Sequence, residues 1–585
     1  MFKKLSRNHN YTSRKINLGS DIVFNKLIEH NVKDVFLYSG GAIMSLIDKL
    51  YNQNKIKYYV NAHEQNCGHA ATGYARSTNK TGIVISTSGP GLTNLITPML
   101  DAQNDSTPLI VLSGQVPISV MGTTAFQECP ATEITSVFTK WSYCVKDIEE
   151  LPDIMNKAFE IANEGKKGVV HIDLPKCILN SEKLNYKNVP SIHFSTSKNY
   201  LKNRKKCINV TKIINNSKKP VIIAGQGCNN YPDELRELVI NGNIPITTTI
   251  HAMGVFPESH NLSLKFLGMH GNPAANYAVQ NADLIINLGG RFCDRTTGNV
   301  EKHAPNAKNI IHVNIEKREF NKTVKSDYNF NMDCGKFINY IKNDVNFKHR
   351  DIWNNQIKNW KNEMPIEFKK DGLLKVEEII SELNLQIDKD NTIITTGVGN
   401  HQMQTCQYID WTTPKSFISS GSLGVMGFGL PAAIGVQIAN PTKTVIDIDG
   451  DSSFMMTQSD LKTIKEYNLP VKMMIINNKT QAMVHTWEKL FFDERHVATL
   501  NKCNPSFVKL AESYDIDTLY CDSLEELPVI IELMLEHKNP ILVEFRVKHS
   551  ECLPLMAPGK ALDDLILYRN YKGKLEKDGK DLPPS

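Results

Sequence analysis

A chain of 585 residues with 41% hydrophobic and 22% charged side chains holds enough apolar material for three or four globular domains. Its formal charge of +5 is too small at this length to call for nucleic acid, and no apolar run reaches the roughly 18 residues of a membrane span. The 12 cysteines show neither CxxC pairs nor metal-ligand spacing, so free thiols in a reducing compartment, the cytoplasm, are expected.

Residues 1–20 hold Lys3, Lys4, Arg7, Arg14 and Lys15 and no acid. That composition faintly resembles a short organelle presequence, although a frayed basic terminus is the simpler expectation. After it, short β-rich runs alternate with helical patterns, which predicts an α/β chain of doubly wound parallel sheets. DVFLY (34–38), TGIVIST (81–87), PLIVLSG (108–114) and GVVHIDLP (168–175) make a first unit, expected over 16–180. The Lys- and Asn-rich residues 182–206 read as a linker. KPVIIAG (219–225), ADLIINLG (282–289) and NIIHVNI (309–315) make a second unit over 200–345, followed by a charged, helix-like connection at 342–372. NTIITTG (391–397), TVIDIDG (444–450), VKMMIINN (471–478) and PILVEFRV (540–547) make a third over 372–550, with 551–585 as a tail.

The third unit carries the first chemical signal. TVIDID and VKMMII read as buried strands, and TQSDLKTIKEY from Thr457 reads as the crossover helix between them. Such a unit makes the strands parallel, so Asp451 and Asn478 fall side by side past their C-terminal ends. That edge is where open α/β sheets bind ligands. One carboxylate and one amide oxygen form a hard half-site that Mg²⁺ completes with phosphate oxygens and water. Taken alone, the segment reads at least as well as an ordinary crossover with a polar loop at each end.

The motifs together resemble the acetohydroxyacid synthase (acetolactate synthase) family of thiamine diphosphate (ThDP) enzymes. GDS (450–452) followed by Asn477 and Asn478 is similar to the family's diphosphate anchor. The resemblance implies Mg²⁺ ligation by Asp451, Asn478 and the Thr480 carbonyl. Ser452 stands where the family has Gly, in a turn expected to need positive φ. TTGVGNHQMQ (395–404) resembles a second diphosphate-gripping loop, and SSGSLGVMGFGLPAAIG (419–435) the segment that props the cofactor. The implied ThDP contacts are Gly399, His401, Gln402, Gly424, Met426, Gly450, Ser452, Ser453 and Met483. NNKTQAMVHTWEKLFF (477–492) is similar to the substrate channel, with Trp487 selecting the acceptor.

In the first unit, a Glu at a helix start reads first as a surface residue answering the helix dipole. VNAHEQNCGHAATGYARS (60–77) nevertheless resembles the family segment whose glutamate touches the aminopyrimidine N1′, which assigns that role to Glu64. YSGGAIMSL (38–46) and GTTAFQE (122–128) resemble the pieces that place Gly41 and Gln127 at the reacting carbonyl. Pro117 and Phe126 are implied to line the channel, with Lys176 near its mouth. In the second unit AGQG (224–227), FLGMHG (266–271) and GGRFCDRTTG (289–298) resemble the FAD-binding pieces. They assign Gly225, Gly227, Met269, His270, Gly271, Arg291, Asp294 and Arg295 to FAD, with Cys293 where the family commonly has Asp. Arg295 is also implied to grip the second keto acid, as a bidentate guanidinium suits a carboxylate. CLPLMAPGKALDDLIL (552–567) resembles the family's tail over the entrance.

The resemblance implies an enzyme that decarboxylates pyruvate with ThDP, Mg²⁺ and a structural FAD. It joins the two-carbon unit to a second 2-keto acid for branched-chain amino-acid biosynthesis. It also implies a homodimer or homotetramer with the site at the dimer interface, and the small regulatory subunit some members carry. The nearest rivals are a pyruvate oxidase-like or other ThDP carboligase, and a silent homologue favoured only by Ser452. Glu64 argues against glyoxylate carboligase.

Overall fold

The computed structural model describes residues 16–184, 200–346 and 350–570. These residues form two compact units, the first holding one major sheet and the second holding two. Each major sheet has six strands, all parallel.

The first unit's strands are β1 (Asp34–Leu37), β2 (Lys57–Val60), β3 (Gly82–Ser86), β4 (Leu109–Gln115), β5 (Trp141–Cys144) and β6 (Val169–Pro175), in spatial order 2-1-3-4-6-5. A short antiparallel pair, Ile16–Leu18 on Glu182–Leu184, ties the ends of this unit together. The second unit opens with β7 (Pro220–Ala224), β8 (Ile246–Thr248), β9 (Ser263–Phe266), β10 (Leu284–Leu288), β11 (Asn309–Asn314) and β12 (Tyr328–Asn331), in order 9-8-7-10-11-12. That is the 3-2-1-4-5-6 order of dinucleotide-binding sheets. Its last sheet has β13 (Thr392–Thr396), β14 (Phe417–Ser419), β15 (Thr444–Gly450), β16 (Lys472–Asn477), β17 (Asp517–Cys521) and β18 (Ile541–Arg546), in order 14-13-15-16-18-17. The first and last sheets therefore share one strand order.

The sequence of β16, KMMIIN, is apolar almost throughout because a central parallel strand is covered on both faces. Ile446, Ile448 and Ile476 are all within 2% of full burial, and each such side chain contributes about 1.5–3 kcal/mol.

Two expectations change. The 182–206 stretch is not all linker, since a helix runs from Tyr200 to Asn216. Its buried Cys207, Val210 and Ile214 supply a helical apolar stripe that the surrounding lysines obscure. The crossover between β15 and β16 is broken into Asp451–Phe454, a 3₁₀ turn Gln458–Asp460 and Leu461–Glu466, so a helix begins at Asp451 itself. The two sheets of the second unit also share core, because Met253 and Phe266 pack with Leu374, Trp411 and Phe417. Residues 1–15, 185–199 and 571–585, which hold most of the basic terminus, most of the expected linker and the last 15 residues of the tail, lie outside the described residues.

Candidate active site

In an open parallel sheet a crevice forms where neighbouring strands send their connections to opposite faces. In the last sheet that point lies between β13 and β15. A cleft of about 530 Å³, counted to its open mouth, sits there. Gly399, His401, Met426, Gly450, Asp451, Ser452, Ser453, Asn478, Thr480 and Met483 all line it. The register Gly450↔Ile476 brings Asp451 and Asn478 to the tips of paired strands.

Of the two adjacent asparagines, only Asn478 lines the cleft. The Asn477 amide donates to Glu544 Oε1 (2.7 Å), and its oxygen accepts from Arg546 (3.0 Å) and Asn504 (3.1 Å), so that side chain is locked behind the site. Asp451 is 1% exposed and its Oδ2 accepts from Asn501 (2.8 Å) and Asn504 (2.6 Å). Burial pushes its carboxyl above the ordinary range, and those two amides hold it back. Asn478 Oδ1 accepts from the backbone and hydroxyl of Thr480 (3.0 and 2.9 Å), which fixes the turn carrying the Thr480 carbonyl. The bracing residues Asn501, Asn504 and Glu544 carry no sequence signal, for they reach the site from loops and a strand distant along the chain.

His401 is 7% exposed, its Nε2 3.5 Å from Asp449 Oδ1. A Cβ at Gly450 would lie 2.8 Å from its Nδ1, so glycine there makes room for the imidazole. Asn400 Oδ1 and His401 Nε2 are buried without a hydrogen-bond partner, and both residues line the cleft. Buried polar atoms of that kind call for a ligand or water. Gln402 stands elsewhere. Its amide donates to Ser419 Oγ (2.6 Å) and the Ser420 carbonyl (3.0 Å), bracing the end of β14. Gly424, at φ +71°, turns the segment that leads to Met426. Trp487 lies on the helix Ala482–Phe491 with its ring 5.4 Å from that of Phe491.

Ser452 requires a correction. It lies inside the helix Asp451–Phe454 and is absent from the residues of positive φ, so no glycine-only turn exists there. Its hydroxyl accepts from Asn501 (2.6 Å), adding to the brace on Asp451. Ser452→Gly is therefore expected to leave the affinity for Mg²⁺–ThDP unchanged or weaken it up to about fivefold, the cost of glycine in a helix. Titration calorimetry checks this, and tighter binding by the variant would reinstate the strained turn.

In the middle sheet the crevice falls between β7 and β10. A Cβ at Gly225 would lie 2.2 Å from the Gly290 Cα, a backbone approach that only glycine permits. Gly227 and Gly271 belong to the same glycine-lined edge. His270 is buried, its Nδ1 3.3 Å from the Pro554 carbonyl, and burial lowers its pKa to about 4. Met269 exchanges backbone hydrogen bonds with Arg295 and Met556 (2.8 Å each), so residues 551–570 of the tail are laid on this sheet. Arg295 Nε is 3.7 Å from Asp294, both exposed, and Arg291 donates to the Ser422 hydroxyl. Cys293 caps the short helix Asp294–Thr297, a position at which Asp also serves.

In the first unit the crevice falls between β1 and β3, and Gly41 lies just past β1. Ala42 N–H donates to Thr87 Oγ1 (3.4 Å), joining the loops after those strands. Gln127 has φ +62°, and its backbone packs on the turn at Gly89. Glu128 accepts from the backbone of Gly122 and Ala125, which holds this loop's shape. Phe126 is 89% exposed, Pro117 half-buried and Lys176 exposed. Glu64 opens the helix Glu64–Thr78, is 8% exposed, and accepts from Asn94 Nδ2 (3.0 Å).

Comparison with known proteins settles the family. The chain matches the thiamine pyrophosphate enzyme N-terminal TPP binding domain over 18–134, the central domain over 208–341 and the C-terminal TPP binding domain over 397–545. It is 40% identical to the mitochondrial acetolactate synthase catalytic subunit of Saccharomyces cerevisiae, across 99% of this chain and 88% of that one. The chain belongs to the acetolactate synthase family. The mitochondrial acetolactate synthase of Schizosaccharomyces pombe is 41% identical over 94% of this chain and 86% of its own. The probable acetolactate synthase large subunit of Methanococcus aeolicus is 38% identical, over 94% and 95% respectively. As a member of this family the chain is a ThDP-dependent enzyme. Its cleft fits the cofactor's charged end, offering oxygen donors at one place and unpartnered polar atoms beside them. No helix among the described residues is long and apolar enough to cross a membrane.

Proposed function

We propose that the enzyme converts two molecules of pyruvate to 2-acetolactate and carbon dioxide, and accepts 2-oxobutanoate as the second keto acid to give 2-aceto-2-hydroxybutanoate. These products feed valine, leucine and isoleucine synthesis. The observation that carries the reading is the cleft joining the tips of β13, β15 and β16. Asp451, Asn478 and the Thr480 carbonyl would hold Mg²⁺, while His401 and Ser453 would hold the diphosphate. Among the described residues no three His, Cys, Asp or Glu side chains are arranged as a metal site. A single carboxylate with two neutral oxygens binds Mg²⁺ well only when phosphate oxygens complete the shell. Metal and cofactor should therefore bind as one.

Bound ThDP supplies an electron sink for the carbon that loses its carboxylate. Glu64 would face the cofactor's pyrimidine ring and exchange a proton with it. Gly41 offers its N–H, and Gln127 its amide, to oxygen as negative charge develops. Arg295 grips the second acid's carboxylate, and Trp487 limits its size. FAD would lie along the glycine-lined edge of the middle sheet, a reading supported by that sheet's strand order. Pairing of chains as a homodimer or homotetramer, and a small regulatory subunit, follow from the same family resemblance. The yeast relatives are named as mitochondrial and the maize one as chloroplastic. Together with the acid-free residues 1–20, this favours an organelle over the cytoplasm.

Acetoin measured colorimetrically, after acid treatment of a reaction of pyruvate with ThDP and Mg²⁺, tests the activity. No colour from fully loaded enzyme would mean a silent homologue. Acetyl phosphate formed only with phosphate and oxygen would mean an oxidase. The absorption spectrum of the purified protein should carry flavin bands, and their absence would remove FAD.

A further inference from the structure

Three histidines lie in contact beside the cleft, and the proposed reaction uses none of them. His485 belongs to the helix Ala482–Phe491, two residues after Met483 and two before Trp487. Its ring stacks on that of His496 (centroids 3.9 Å, interplanar angle 1°) and meets His549 edge-on at 4.6 Å. His485 Nδ1 and both ring nitrogens of His549 are buried without a hydrogen-bond partner. Like every other group of His, Cys, Asp and Glu among the described residues, the trio is not arranged as a metal site.

The trio joins three segments. His549 precedes Ser550, which lines the cleft and is tied to Glu377 (2.9 Å), Asn400 (3.2 Å) and Gln404 (3.3 Å). The helix is fastened to this segment by the rings and by the ion pair Lys489–Glu551 (3.2 Å). His496 belongs to the loop that Glu488 gathers onto the helix, through His496 Nδ1 (3.1 Å), Val497 N (2.9 Å) and Thr499 Oγ1 (2.6 Å).

We propose that His485, His496 and His549 form a proton-operated latch, which holds the helix Ala482–Phe491 against the cleft while uncharged and releases it on acidification. The charged groups around the trio decide the sign. Glu488 is engaged with His496 and its loop, Glu551 with Lys489, and Glu377 with Ser550. A proton on His485 or His549 therefore finds no free carboxylate. It meets Lys489 and the other imidazoles instead. Burial, the largest cause, lowers the pKa of His485 to about 3 and that of His549 below its ordinary value. A released imidazole titrates near 6.5. The latch is thus at full strength above about pH 6.5 and weakens as pH falls toward the depressed values. Between pH 7.5 and 5.5 His485 tilts the balance about tenfold toward release, and His549 adds to it in the same direction.

The inference rests on the proposed function only for its consequence, the loss of the wall that carries Met483 and Trp487. Its test needs no turnover. Hydrogen exchange of the full chain, corrected for the intrinsic pH dependence, gives the opening constant of residues 482–491. For the wild type it should rise at least tenfold from pH 7.5 to 5.5, while residues 472–477 of β16 stay constant. In a His485→Phe/His549→Phe variant, which keeps the ring contacts but cannot take up a proton, the rise should fall below twofold. An equal opening constant at both pH values in the wild type overturns the latch, and so does an undiminished rise in the variant. Should the double variant fail to fold, the wild-type measurement still decides, and His485→Gln should remove about tenfold of the rise.

Discussion

Glu64→Gln is expected to fold, to bind Mg²⁺–ThDP as the wild type does, and to exchange the cofactor's C2 proton about 10²–10⁴-fold more slowly, the range for loss of a positioned proton-transfer group. The structure explains why the change should be clean. The glutamate accepts from Asn94, a role that a glutamine oxygen fills equally. The helix start does not depend on it either, since His63 caps the helix by accepting from Gln65 N–H (3.1 Å). The substitution thus removes the carboxyl group proposed for proton transfer with little else changed. Exchange at C2 followed by NMR in deuterated buffer reads the step directly. An unchanged rate in the variant would strip Glu64 of its role, whatever happened to overall turnover.

How far the sequence could be read depended on where each interaction lies along the chain. The strands were legible because central parallel strands are apolar on both faces, and VKMMII and PLIVLSG leave no other reading. Asp451 and Asn478 were legible because a helical crossover makes the strands before them parallel, and in the folded sheet β15 and β16 are also neighbours. The shared crevice of β13 and β15 was not, since strand order is a property of the folded sheet. For the same reason Asn501 and Asn504, the brace on Asp451, escaped notice in a loop with no pattern of its own. Nor could spacing join His485 to His549, which meet only because β18 returns beside β16. Ser452 misled in another way. A departure from a family glycine suggested strain, yet the local backbone is helical and the serine hydroxyl has work there.

Asp451→Asn is expected to act with opposite signs on the empty and the loaded protein. In the empty protein Asp451 is a buried carboxylate whose pKa is raised chiefly by desolvation. A carboxyl raised on folding costs stability as pH climbs through and above its ordinary value near 3.9. An asparagine relieves that cost. Its oxygen can accept from Asn501 and Asn504 as Oδ2 does now. The unliganded variant should therefore melt at the wild-type temperature or slightly above it at pH 7. In the loaded protein the same change removes the one charge among the proposed metal ligands. Affinity for Mg²⁺–ThDP should fall at least about a hundredfold, since even partners behind the ligands cost 10–100-fold at metal sites. A ligand concentration that is 100 times the wild-type Kd stabilises the wild type by about 2.7 kcal/mol, and after a hundredfold loss it supplies only about 0.4. Melting curves with and without the cofactor pair separate the two signs in one experiment. A variant that melts lower when empty, or that gains as much as the wild type from Mg²⁺ and ThDP, would show that residue 451 holds the sheet edge together and leaves the metal to other oxygens.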